Sequence, residues 1–124
     1  MVNEREKFKN EFKSRLYCWI LKIIKLIDKL PKDTVSQVLG KQLVRSGTSV
    51  LSNYVEAHSS SSKRDFAHYF RIALRSANES KVWLALLRDT KRNKAKTINI
   101  LLEELQEMAA ILASSLITIK NNIE

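Results

Sequence analysis

The chain has 124 residues, with 22 Lys and Arg against 13 Asp and Glu for a formal net charge of +9, and holds 2 Gly, 1 Pro and 1 Cys. Average usage would put Gly and Pro together at roughly 12% of residues, so an all-β or α/β fold is starved of the turn residues its hairpins need. One Cys excludes a disulfide framework and a thiolate metal site of the usual kind, and 44% apolar residues exclude disorder.

A chain of this length forms one domain with a genuine core, and its apolar spacing divides it into four helices over about 3–30, 34–57, 63–89 and 96–122. The opening residues, MVNEREKFKNEFK, carry charges of both signs and lack the apolar core of a signal peptide. In the first helix Phe8, Phe12, Leu16, Trp19, Ile20, Ile23, Ile27 and Leu30 recur at steps of three and four. Lys22, Lys25, Asp28 and Lys29 interrupt its most apolar stretch. A spanning helix needs about 20 nearly uncharged residues, so no membrane span is expected and a cytoplasmic location is. Pro31 stops this helix.

Asp33 or Thr34 caps the second helix, whose series is Val35, Val38, Leu39, Leu43, Val50, Leu51 and Tyr54. Gly40 and Gly47 share one of its faces and point to close approach of a neighbouring helix. The run from His58 to Ser62 breaks the pattern, and Ser62 with Asp65 resembles a capping box. The third helix follows Phe66, Tyr69, Phe70, Ala73, Ala77, Ser80, Leu84 and Leu87, with small residues suited to tight packing. A basic link leads to the fourth, which runs on Ile98, Leu101, Leu102, Leu105, Met108, Ala109, Leu112, Leu116, Ile119 and Ile123. Short outer connections make sequential helices antiparallel, so the expected fold is an all-α, up-down-up-down four-helix bundle. The apolar arc of the first helix is wider than a bundle requires, and Tyr17 and Leu21 lie beyond it. Self-association accounts for that surplus; scattered surface residues are the alternative.

The charge is uneven. Residues 63–96 hold ten Lys and Arg against three acids, whereas residues 97–124 hold one against four. Glu103, Glu104 and Glu107 are expected on the outer face of the fourth helix. Arg15, Lys22, Lys25 and Lys29 lie along one side of the first. Arg64, Arg71 and Arg75 share a face of the third, where Glu79 is placed to pair with Arg75. In the expected topology the links after the first and third helices fall at one end, gathering Lys29, Lys32, Arg88, Lys91, Arg92, Lys94 and Lys96, with Asp28, Asp33 and Asp89 as partial counterweights. Such a field attracts polyanions. The candidate nucleic-acid contacts are therefore Lys22, Lys25, Lys29, Arg88, Lys91, Arg92, Lys94 and Lys96, with a solvated, solubilising surface as the plainer alternative. No signature of sequence-specific readout occurs.

Enzymatic readings fail on inventory. His58 and His68 are the only histidines, and neither has metal-ligand spacing to Cys or carboxylates. No Glu-x-x-His pair and no Gly-rich phosphate loop occurs, and Cys18 suits a packed helix better than a nucleophile. No cofactor is implied. The basic, aromatic first helix could lie on a membrane surface, but the other helices need its apolar face to pack on.

The stretch from Arg45 to Leu84, RSGTSVLSNYVEAHSSSSKRDFAHYFRIALRSANESKVWL, carries polar residues at fixed spacing: Arg45-Ser46, Ser49-Val50, Asn53, Glu56, Ser62, Asp65-Phe66, Arg71-Ile72-Ala73, Ser76 and Glu79. It resembles the four-helix-bundle proteins encoded in intervening sequences of bacterial 23S rRNA genes. That superfamily includes the accessory variability determinant of diversity-generating retroelements. The chain departs from the family pattern at Ala57-His58 and at Arg75, where glycines are usual. The resemblance implies a ring-like homopentamer. For retroelement members it implies a basic accessory that binds a reverse transcriptase and its template RNA; the ribosomal-insertion members have no agreed activity.

Overall fold

The computed structural model describes residues 3–123, with Met1, Val2, Glu124 and the side chain of Ile123 outside the described residues. Four helices form: α1 Glu4–Asp28, α2 Thr34–Ser59, α3 Lys63–Asp89 and α4 Ala95–Ile123. Asn3 caps α1 by accepting from the Glu6 N–H. α1 closes two residues earlier than its apolar series suggests. The Lys29 and Leu30 N–H groups turn back to Leu26 and Ile27, both at 3.1 Å, tightening the last turn before Pro31. Asp33, not Thr34, caps α2, accepting from the Ser36 N–H at 2.9 Å. α2 runs on into the serine run, where Ser59 Oγ donates to the Val55 carbonyl and Ser60 Oγ to that of Ala57. These hydroxyls satisfy the terminal carbonyls and delay the break beyond His58. Ser62 caps α3 through the Asp65 N–H at 3.1 Å. The return bond of a full capping box, from the Ser62 N–H to the Asp65 carboxylate, is absent among the described residues.

The helices pack as an antiparallel up-down-up-down bundle. Trp19 pairs with Gly47 and Lys9 with Tyr54 across α1 and α2, and Ser46 with Ser80 across α2 and α3. Trp19 Nε1 donates to the Leu101 carbonyl of α4 at 3.0 Å. Leu16, Trp19, Ile23, Leu43, Leu84, Leu105 and Met108 are among the fully buried side chains.

Small residues set the helix separations. A Cβ on Gly47 would meet Trp19 Cζ3 at 3.4 Å, and one on Gly40 would meet Ile27 Cγ2 at 3.4 Å. The two glycines therefore mark a close helix contact, made by α1 side chains on the α2 backbone. Ser46 and Ser80 share a hydrogen bond at 2.7 Å, and Ser76 Oγ donates to Ser49 Oγ at 2.8 Å, so hydroxyl pairs satisfy the narrow α2–α3 seam.

Several expected placements are corrected. Glu79 pairs with Arg45 of α2 and receives the Trp83 indole N–H, so it is turned away from Arg75. Glu104 is partly buried beside Lys22 of α1, whereas Glu103 and Glu107 are exposed as expected, Glu107 reaching Arg15. Phe8, Val35 and Val38 belong to the apolar series by spacing but are exposed. No helix among the described residues is long and apolar enough to cross a membrane.

Candidate nucleic-acid interface

The two loops that the topology brings to one end are tied together. Arg92, in the α3–α4 loop, donates from Nε to Ser36 Oγ at 3.0 Å and from Nη2 to Asp33 Oδ1 at 3.2 Å. The Ser36 N–H and hydroxyl, with Arg92 beside them, hold the Asp33 carboxyl below its ordinary value of 3.8. The loop geometry is itself strained. Lys91 has φ 58°, and the Arg92 N–H bonds the Leu87 carbonyl at 2.9 Å while the Lys91 N–H bonds that of Arg88 at 3.0 Å. This is a Schellman closure of α3 with lysine at the left-handed position that glycine usually fills.

The loop so anchored sets Asn93 and Lys94 beside α1. Lys22, Lys25 and Lys29, which fall on one side of α1, line a groove of about 460 Å³ with Asn93, Lys94 and Thr97. Leu26 and Leu101 also line it, so the groove has apolar walls beneath a cationic rim. The first turn of α4 forms the opposite bank and contains no acidic residue. Its unpaired N–H groups add to the positive potential there. Lys22 Nζ lies 3.7 Å from Glu104, a long and exposed contact. Lys25, Lys29 and Lys94 form no ion pair among the described residues.

Four of the eight basic residues expected to contact nucleic acid thus converge: Lys22, Lys25, Lys29 and Lys94. The other four do not line the groove. Arg92 is the internal tie just described. Arg88 is held by Asp89 and by Asn99 Oδ1, both at 2.9 Å, and its bond lowers the Asp89 carboxyl. Lys91 and Lys96 are exposed on the loop and the first turn of α4. Asn93 and Thr97 are additions that charge counting passes over. The signal for them was present, since polar residues flanking a helix start stand where its free N–H groups are.

The motif residues lie elsewhere, on α2 and α3, and some of them form the seam between these helices. Arg45 and Glu79 pair, Ser46 bonds Ser80, and Asn53 Nδ2 donates to the Ser49 carbonyl at 2.9 Å. Asp65 donates its N–H to the α3 cap, and Phe66 stacks on Phe70 with ring centroids 4.7 Å apart. Glu56 and Arg71 are exposed. Arg45, Ser46 and Glu79 therefore join the two helices, whereas Asn53, Asp65 and Phe66 are bonded or stacked within their own helix or its cap. No group of three His, Cys, Asp or Glu among the described residues is placed to hold a metal ion.

The family described as 23S rRNA-intervening sequence protein matches residues 10–114. A crystal structure of a protein of unknown function from the S23 ribosomal protein family of Bacteroides thetaiotaomicron VPI-5482 is similar, at 30% identity and a TM-score of 0.80. The match covers 87% of this chain and 96% of that one. No curated protein matches.

Proposed function

The chain belongs to the 23S rRNA-intervening sequence protein family, and from that premise we propose that it is a non-enzymatic accessory that binds RNA or an RNA–DNA hybrid through the α1–α4 groove. The convergence of Lys22, Lys25, Lys29 and Lys94 on one groove carries this reading. A polyanion gains from several cations held along one groove, and release of its counterions drives binding. Groove contacts of this kind read the backbone, so recognition rests on shape and charge rather than on base edges.

The accessory role extends to a reverse transcriptase partner, in a ring of five copies whose charge adds around the assembly. This part rests on the resemblance to the retroelement accessory protein and on the charge of +9. Filter binding with structured RNA over a salt series tests the groove. Log K should fall with log salt at a slope of roughly −3, from about 0.7 to 0.9 per phosphate for four lysines. Lys25→Glu with Lys29→Glu should weaken binding and flatten that slope by about 1 per lysine. A salt response unchanged by the double substitution would sink the groove as the contact surface.

A second reading is a structural or protein-interaction role with no nucleic-acid task. It is favoured by the apolar residues Tyr17, Leu21 and Ile24, which are exposed on one face of α1. A gene position inside a 23S rRNA gene would support it; a neighbouring reverse transcriptase with a repeat pair would support the first.

A further inference from the structure

At the end of the bundle opposite the lysine groove, all four helices border a cavity of about 540 Å³. That size falls within the range of small-molecule sites. Its inner wall is aromatic. Phe12 and Tyr54 have ring centroids 4.9 Å apart, and Tyr54 lies 5.6 Å from Phe70, which in turn stacks on Phe66. His58 sits among these rings, edge-on to Tyr54 at 4.6 Å and to Phe66 at 5.0 Å. Its Nε2 is buried and has no hydrogen-bond partner among the described residues.

The mouth is different. Arg5 and Lys9, one turn apart on α1, line it, and neither makes an ion pair among the described residues. Glu6 is the one acid among the lining residues, so the mouth keeps a net positive charge. Across from them α4 contributes Ser115 and Thr118. Burial, with Lys9 nearby, pushes the His58 imidazole down to about 4, so the inner wall is uncharged at neutral pH. Charge selection then rests with the mouth, where Arg5 and Lys9 outweigh Glu6.

We propose that this cavity binds a small amphipathic monoanion, its aromatic body against Phe12, Tyr54, Phe66 and Phe70 and its acidic group at Arg5 and Lys9. Aromatic walls accept a ring edge or face, while two neighbouring cations at the mouth, Lys9 half-buried and Arg5 exposed, favour one carboxylate or sulfonate. The site is at the far end from the lysine groove and stands or falls independently of RNA binding.

Two fluorescent probes that share an apolar body separate these elements in the full-length protein. 1-Anilinonaphthalene-8-sulfonate carries the acidic group, and N-phenyl-1-naphthylamine lacks it. The sulfonate should bind saturably, one per chain, and shift the His58 ring protons in NMR spectra. Arg5→Glu with Lys9→Glu should weaken the sulfonate about tenfold, equivalent to about 1.4 kcal/mol, and leave the neutral probe within about twofold. Ser115→Trp, which fills the cavity from α4, should remove both. Sulfonate binding that leaves His58 unmoved, or charge reversal that affects both probes equally, would overturn the proposal. Neither readout depends on Ser115→Trp folding.

Discussion

His58 sits in the run that ends α2, where the sequence pattern marks only a connector. Packing turns it into a part-buried ring whose Nε2 is buried and has no hydrogen-bond partner among the described residues. Burial first, and the Lys9 cation second, lower its pKa from 6.5 to about 4. Between those two values the unfolded chain takes up a proton that the folded ring refuses. Stability should therefore fall as pH drops from 6.5 towards 4 and level off below that. The ring is only part-buried, so solvent screening reduces the effect to on the order of 1–2 kcal/mol. Urea unfolding at pH 7.5 and pH 4.5 measures it, and His58→Leu should remove that share of the pH dependence. Equal pH dependence in both proteins would contradict the assignment. Asp33 behaves differently. Its stabilising contribution is present above its ordinary 3.8 and is lost only as pH falls through its lower folded-state value. The window chosen for His58 therefore leaves Asp33 ionised.

Helices and their ends were legible because local chemistry fixes them. Pro31, the Asp33 and Ser62 caps and the apolar period all act within a few residues. Side-chain partners across helices were not. Spacing alone pairs Arg75 with Glu79, one turn apart. The rotation of α3 instead turns Glu79 onto Arg45, and that rotation is set by the serine pairs and alanines of the seam. The same limit applies to the candidate site: the loop brings Lys94 to α1 only because Arg92 turns inward to Asp33 and Ser36. The glycines gave the clearest element-scale forecast. At Gly47 an added Cβ stands 3.4 Å from Trp19 Cζ3, at ordinary contact distance. Gly47→Ala should be near neutral or slightly stabilising, since alanine gains up to about 1 kcal/mol of helix propensity. Gly47→Leu should cost about 1–3 kcal/mol by displacing the Trp19 ring. Urea unfolding reads both, and loss of the Trp19 Nε1 bond to Leu101 should move its indole N–H resonance in the leucine variant only.

At the scale of the whole molecule, the two ends of the bundle differ. One carries the lysine groove between α1 and α4, the other the aromatic cavity. Between them α1 presents an outer face that the bundle does not use. Tyr17 is 56% exposed, Leu21 44% and Ile24 41%, and spacing of four and three places them in a stripe. The width of the apolar arc foreshadows this surplus, since a helix serving one core needs only a narrower stripe. A stable assembly needs about 1,000 Å² of buried surface in total, more than three half-exposed side chains provide, so flanking residues of α1 and its neighbours must join them. If α1 is the interface, the protein should run well above its 14.3 kDa chain mass in light scattering at micromolar concentration. Leu21→Glu with Ile24→Glu would then bury unpaired charges at the contact, a cost of several kcal/mol, and should return the protein to monomers. Helix content by circular dichroism should stay unchanged, because both side chains are exposed in the single bundle. A wild-type monomer at that concentration would leave the stripe as surface scatter and remove the ring of five from the proposed accessory role.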